Sequence, residues 1–356
     1  MPKESKMALA AAGEVPYVPS DEDFRLKNNA GEIAIDTNFA AQSFWKDVLI
    51  RYFRKISAVV GLVLIIFITA MAVVGPQMND YTYSGQNLSQ KNLAPRVKGL
   101  ENLGIFDGSE TMNTTTGSKK VNYYQEKELD DVYYWFGSDN FGRDIWTRTW
   151  TGARVSLIIA VAAAVIDMVI GMSYGLISGY FGGKVDMIMQ RFLEIANGIP
   201  RLVIVTLLLL VLQPGMLTII FALMLTEWVG MSRIARAEML KLKEQEFVLA
   251  SRTLGAGSFF IIFREVLPNI IGPIITQVMF SIPTAIFTEA FLSFVGLGIP
   301  VPQCSLGSLI SEGFNSFTTH PYQIVPPIVV MALLMLSFNL VADGLREALD
   351  PKMKEM

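Results

Sequence analysis

One cysteine and one histidine in 356 residues exclude a great deal of chemistry. Cys304 alone cannot build a disulfide framework within the chain or a multi-cysteine metal site. With His320 as the only imidazole, most histidine-based metal and catalytic schemes fall away as well. Charge is scarce: 17% of residues are Asp, Glu, Lys or Arg against 52% hydrophobic, and the mean hydropathy is +0.42, which ordinary soluble domains do not reach. A net charge of -3 lacks the concentrated Lys and Arg that phosphate backbones require, so nucleic acid is not a main partner. Residues 1–43 lack the basic n-region, short apolar core and small-residue cleavage site of a signal peptide and read as a polar cytoplasmic tail. A phosphate-binding loop is missing too. Gly182-Gly183-Lys184 looks like the end of one, but Ser178 stands where its first glycine belongs and Val185 replaces the required Ser or Thr. No catalytic, nucleotide or metal site is therefore assigned, and the chain is not read as an enzyme.

What the chain has is apolar length. Phe44 to Lys55 mixes aromatics with Lys46, Arg51, Arg54 and Lys55, as an amphipathic helix at the headgroup level does. Ile56 to Val74 is uncharged and long enough to cross roughly 30 Å of hydrocarbon. Further apolar segments run from about Val155 to Tyr180, Val185 to Leu212, Gly215 to Ile234, Ile270 to Val295 and Ile324 to Leu345. The reading is an all-α integral membrane protein with six transmembrane helices. Its divisions are a tail at 1–43, an interfacial helix and first span at 44–75, an extracellular loop or lobe at 76–150, a five-helix core at 151–345 and a C-terminal tail at 346–356. Arg233, Arg236, Lys241, Lys243, Arg252 and Arg264 surround one loop, whereas the segment from Gly296 to Gln323 has no Lys or Arg. The positive-inside bias then places that basic loop and both termini in the cytoplasm.

The basic loop, Glu244 to Pro268, carries the strongest local signal. Phe247, Ala250 and Leu254 at i, i+3 and i+7 give a short helix an apolar face that needs a partner, and Gly255 stops it. Ser258 is expected to cap a second short helix that Pro268 closes. Gly171, Gly175 and Gly179, with Gly183 in the same register, form a small-residue ladder suited to close helix packing. Acidic and basic residues inside apolar segments are costly in lipid and are expected to face the bundle interior or water. They include Asp167 and Glu227; Glu194 and Arg201, seven apart on one expected helix face, together with Glu289 are taken as translocation-pathway residues.

Four stretches resemble one family. Leu249-Ala250-Ser251, Gly255 and, thirteen residues later, Leu267-Pro268 are similar to the cytoplasmic loop of binding-protein-dependent ABC importer permeases, E-A-A, three residues, Gly, nine residues, I-x-L-P. Leu249 and Ser251 replace the usual Glu and second Ala, and Glu265 holds the Ile place. Phe136-Gly137-Ser138-Asp139 with Phe141-Gly142-Arg143-Asp144, Glu289 to Gly298 (EAFLSFVGLG), and Asp343 to Pro351 (DGLREALDP) resemble segments of the peptide and nickel subfamily's C-type subunit. This covers roughly residues 135 to 352.

The resemblance implies a type I ABC importer permease fold in the bacterial cell membrane. It implies a homologous second permease, two cytoplasmic ATPases that hold ATP and Mg2+, and an extracellular substrate-binding lipoprotein. Coupling to the ATPases would fall to Glu246, Phe247, Leu249, Ala250, Ser251, Leu254, Gly255, Leu267 and Pro268, with Glu246 the neighbour able to replace the missing carboxylate. The cargo it implies is an oligopeptide; nickel chelates and dipeptides stay open within the family, and a secondary transporter or channel outside it.

Overall fold

Apolar runs that cannot leave a backbone amide unpaired in hydrocarbon must become helices, and they do. The computed structural model describes residues 44–114 and 117–350, so the tail at 1–43 and residues 351–356 lie outside the described residues. The chain from Val48 onward forms one compact unit; of a separate unit ending at Asp47 only residues 44–47 are described. Helix α1, Phe44–Arg54, turns Leu49 and Phe53 outward and buries Val48 and Tyr52. Spans α2, Ile56–Gln77, and α3, Ile145–Phe181, follow on either side of a small lobe. In that lobe β1, Ser109–Thr114, pairs antiparallel with β2, Gly117–Asn122, Ser109 lying opposite Asn122.

The third apolar segment is not one helix. It divides into α4, Gly183–Gly198, and α5, Arg201–Val211, bent by 75° about Ile199 and Pro200. Pro200 lacks the N–H and the residue before it avoids helical geometry, which opens the break. The expected pairing of Glu194 and Arg201 on one face is thereby corrected, because they stand on different helices. Among the described residues, five helices are long and apolar enough to cross a membrane, six if the bent pair counts as one span. The others are α6, Met216–Leu242, α8, Ser258–Leu297, and α10, Pro321–Leu349. Between α6 and α8 lies α7, Glu246–Thr253, and between α8 and α10 lies α9, Leu306–Asn315.

A second correction concerns Pro268. Gly257, not Ser258, caps the helix start, and Pro268 does not end a short helix: the chain runs on as a single α8. A π turn over Ile261–Val266 absorbs the proline, with the Leu267 N–H reaching back five residues to the Ile262 carbonyl. Widening that turn relieves the ring clash that a proline imposes on a tight helix.

Glycines set how closely α3 meets α6. A Cβ on Gly171 would lie 2.5 Å from the Trp228 carbonyl, on Gly175 2.1 Å from that of Ser232, and on Gly179 2.9 Å from the Met239 Cβ. Gly183 leaves this ladder, since nothing lies within 4 Å of its Cβ position. The lobe is fastened to the helices by buried charge. Arg143 and Arg148, each 1% exposed, both reach Asp139 at 2.6 and 2.5 Å and Glu312 of α9 at 2.7 Å. Beside them Asp144 caps α3 through the Thr147 N–H, and burial pushes its carboxyl up despite the Thr147 and Asn79 donors.

Candidate functional site

The loop between α6 and α8 is built to hold one short helix firmly and leave its outer face bare. Val248 is fully buried among Met239, Ile261, Ile262 and Val266, so α7 is pinned to the ends of both long helices. Arg252 adds a second anchor, its guanidinium 5.5 Å from the centre of the Tyr180 ring on α3. Cation–π contacts of this kind contribute about 0.5–1 kcal/mol at exposed sites. The opposite side faces outward: Phe247 is 38% exposed, Leu249 44% and Leu254 88%, with Ala250 and Glu246 exposed beside them.

The end of α7 is fixed by backbone geometry. Gly255 adopts φ +83°, its N–H donates to the Arg252 carbonyl, and the Ala256 N–H donates to the Ser251 carbonyl. This is the Schellman arrangement, in which a left-handed glycine closes the last helical carbonyls. Ser251 thus serves the cap, Leu267 is half-buried against the same apolar cluster, and Pro268 is exposed. Next to the cap, Phe259 and Phe263 stack at 6.3 Å and remain exposed, extending the apolar surface from α7 onto α8. Val248 escaped sequence reading because only its i+13 and i+14 partners, Ile261 and Ile262, reveal which side is inward.

The residues expected along a pathway do not come together. Glu194 pairs at 2.7 Å with Arg191 on the exposed side of α4, and the side chain of Arg201 lies outside those described. Glu289 is fully buried inside this subunit, which corrects its expected position on a pathway surface. Its carboxylate receives the hydroxyls of Ser156 at 3.0 Å, Ser293 at 2.8 Å and Ser305 at 2.6 Å. Ser305 is also the cap of α9, so Glu289 ties α3, α8 and α9 at one point. Hydrogen bonds to charged groups contribute about 1.5–3 kcal/mol each, and such a cage is what keeps a buried carboxylate tolerable. Among the described residues, no group of three or more His, Cys, Asp and Glu is placed to hold a metal ion.

Known proteins resemble this chain in sequence over most of its length. A family model described as binding-protein-dependent transport system inner membrane component matches residues 171–355, just over half the chain. Another, described as the N-terminal TM domain of oligopeptide transport permease C, matches residues 43–95. The oligopeptide transport system permease protein OppC of Bacillus subtilis (strain 168) is 41% identical over 92% of this chain and 95% of its own. The dipeptide transport system permease protein DppC of Lactococcus lactis subsp. cremoris is 40% identical over 94% and 98%, and the DppC of Bacillus subtilis (strain 168) 38% over 94% and 94%. Among solved structures, the inward-facing MetNI methionine ABC transporter covers 57% of this chain and 96% of its own at a TM-score of 0.49 and 17% identity, too distant a likeness to support a conclusion.

Proposed function

The chain belongs to the family of binding-protein-dependent transport system inner membrane components, and from that membership we propose that it forms half of the translocation pathway of an ATP-driven importer of oligopeptides. The observation that carries the mechanism is α7: an exposed apolar helix rigidly fixed to α6 and α8 through Val248 and the Gly255 cap. Such an element transmits force in both directions. Seated in a groove of a cytoplasmic ATPase, Phe247, Leu249, Ala250 and Leu254 would be covered, and closure of two ATPases on ATP and Mg2+ would swing α6 and α8 together. That is alternating access by rigid-body motion, with a homologous second permease as the other half and an extracellular lipoprotein delivering cargo. In this reading the α7 end of the bundle is cytoplasmic, both termini lie on that side, the lobe is extracellular, and the chain itself catalyses nothing.

Oligopeptide is preferred to dipeptide or nickel chelate because the matched N-terminal model and the relative with the highest identity given above carry that name. The test is assembly. Unsubstituted protein should bring ATPase subunits through purification in a fixed ratio, and Leu254→Asp, which puts a charge on the most exposed apolar position, should cut that yield at least about tenfold, ~1.4 kcal/mol, with an unchanged thermal midpoint. Full ATPase recovery with Leu254→Asp would remove α7 as the contact.

A further inference from the structure

Helix α8 carries a line of polar residues that neither its packing nor the α7 contact uses. Gln277, Ser281, Thr284 and Thr288 stand at i, i+4, i+7 and i+11 within Leu267–Leu292. At ~100° per residue they fall within about 60° of arc, one narrow stripe down the span. The far side of the same helix buries Ile282, Ala285, Ile286 and Glu289. Thr284 is exposed and the other three are half-exposed, on a segment long and apolar enough to cross a membrane. Polar side chains at that depth belong against protein or water, not lipid.

The hydroxyls have a direction. Ser281 Oγ donates to the Val278 carbonyl at 2.9 Å, Thr284 Oγ to that of Phe280 at 3.0 Å, and Thr288 Oγ to that of Thr284 at 2.8 Å. Each hydroxyl has one proton and two lone pairs, so with those protons returned to the helix Ser281, Thr284 and Thr288 present acceptors outward. These three positions attract N–H donors, whereas Gln277 at the α7 end carries an amide that both donates and accepts. Behind the stripe, Asp167 lies at the π turn of α3 next to Ser281, 2% exposed, with its Oδ1 buried and without a hydrogen-bond partner. At its α7 end the stripe opens into a cavity of about 340 Å³ where Pro273, Thr276 and Gln277 of α8 meet Ile234 of α6 and Arg346 of α10. That is within the size range of small-molecule sites.

We propose that this stripe on α8 is the surface along which cargo passes, and that it takes the N-terminal ammonium and amide N–H groups of an unblocked peptide. The inference rests on the importer reading above and deepens it by naming the lining residues and the chemistry they select. It departs from Glu194, Arg201 and Glu289, which sequence alone suggested.

Single-cysteine labelling tests it on the complete importer in proteoliposomes. The native Cys304 is fully buried and is replaced by Ser for background. With each rate divided by that reagent's rate toward a free thiol in solution, Thr284→Cys and Thr288→Cys should still favour a cationic trimethylammonium thiosulfonate over its anionic sulfonate counterpart several-fold, because the outward hydroxyl lone pairs solvate a cation and not an anion. Val63→Cys, on the exposed side of α2, should react with neither. Tetra-alanine should slow labelling of both stripe positions several-fold, and N-acetyl-tetra-alanine should not. Unreactive stripe cysteines would overturn the assignment and make the stripe a buried contact with the second permease. Equal normalised labelling by both reagents without tetra-alanine protection would overturn it as well. Failure of the unsubstituted complex to take up tetra-alanine would defeat peptide import itself, and the assignment with it.

Discussion

At the scale of single residues, the lobe is held by charges that cannot be removed one at a time. Arg148 is 1% exposed and forks between Asp139 and Glu312, with the Cys304 thiol donating to its main-chain carbonyl at 3.5 Å. Burial raises the Cys304 thiol above its ordinary range, outweighing the lowering effect of Arg148. Arg148→Ala would leave two carboxylates facing Arg143 alone. Breaking a buried pair costs about 3–5 kcal/mol; the expectation here is the lower end, roughly 3 kcal/mol, because Arg143 remains and Glu312 is one-third exposed. Arg148→Lys keeps the charge and loses the fork, so its thermal midpoint should fall between those of Arg148→Ala and the unsubstituted protein. Thermal unfolding of the purified proteins in detergent measures both, and an unchanged midpoint for Arg148→Ala would show that the network does not hold the lobe.

At the scale of elements, α7 depends on its last turn. Gly255 at φ +83° occupies a conformation that costs other residues about 1–2 kcal/mol. Proline cannot adopt it at all, and would also delete the N–H that reaches Arg252. Gly255→Ala should therefore reduce ATP-driven peptide uptake, and Gly255→Pro should abolish it, while both proteins reach the membrane in normal amounts; normal uptake by Gly255→Pro would refute rigid coupling through this cap. The helix, its exposed apolar face and its stop were legible in the sequence because all three rest on spacings of a few residues. The glycine ladder was legible for the same reason. Three things were not. Pro268 obeys its local rule, yet the π turn at Ile261–Val266 absorbs the lost bond, which depends on α8 being held by neighbours. Pro200 announces a break, but a 75° bend cannot be read from one residue. Glu289 looked like a costly membrane carboxylate because its cage comes from Ser156, 133 residues away, as well as from Ser293 and Ser305.

At the scale of the whole molecule, the number of crossings follows from which ends meet. Val48 and Tyr52, just before α2, pack with Ala348 and Leu349 at the end of α10, and Lys55 pairs with Glu347 at 2.5 Å, so the first span begins where the last one finishes. The chain from α2 to α10 must then cross an even number of times. Span α2 ends against the lobe, where Trp146 Nε1 donates to the Gly75 carbonyl; α3 returns to the α7 end, where Lys243 reaches the Gly179 carbonyl. Asp186 near the start of α4 is paired there with Arg236 of α6 at 2.6 Å, whereas Val205 of α5 packs with Leu292 at the far end of α8. The bent pair α4–α5 thus carries the chain from one end of the bundle to the other and counts as a crossing, despite its 75° break. Six crossings predict that a reporter active only outside the cytoplasm will work when fused after Gln213, between α5 and α6, and that one requiring the cytoplasm will work when fused after Leu349. If the Gln213 fusion reports the same side as the Leu349 fusion, α4–α5 dips into the membrane and returns. In that case α6 could not descend to place α7 beside the ends of α3 and α8, and force applied to α7 would have no continuous route through α6 and α8 to the polar stripe.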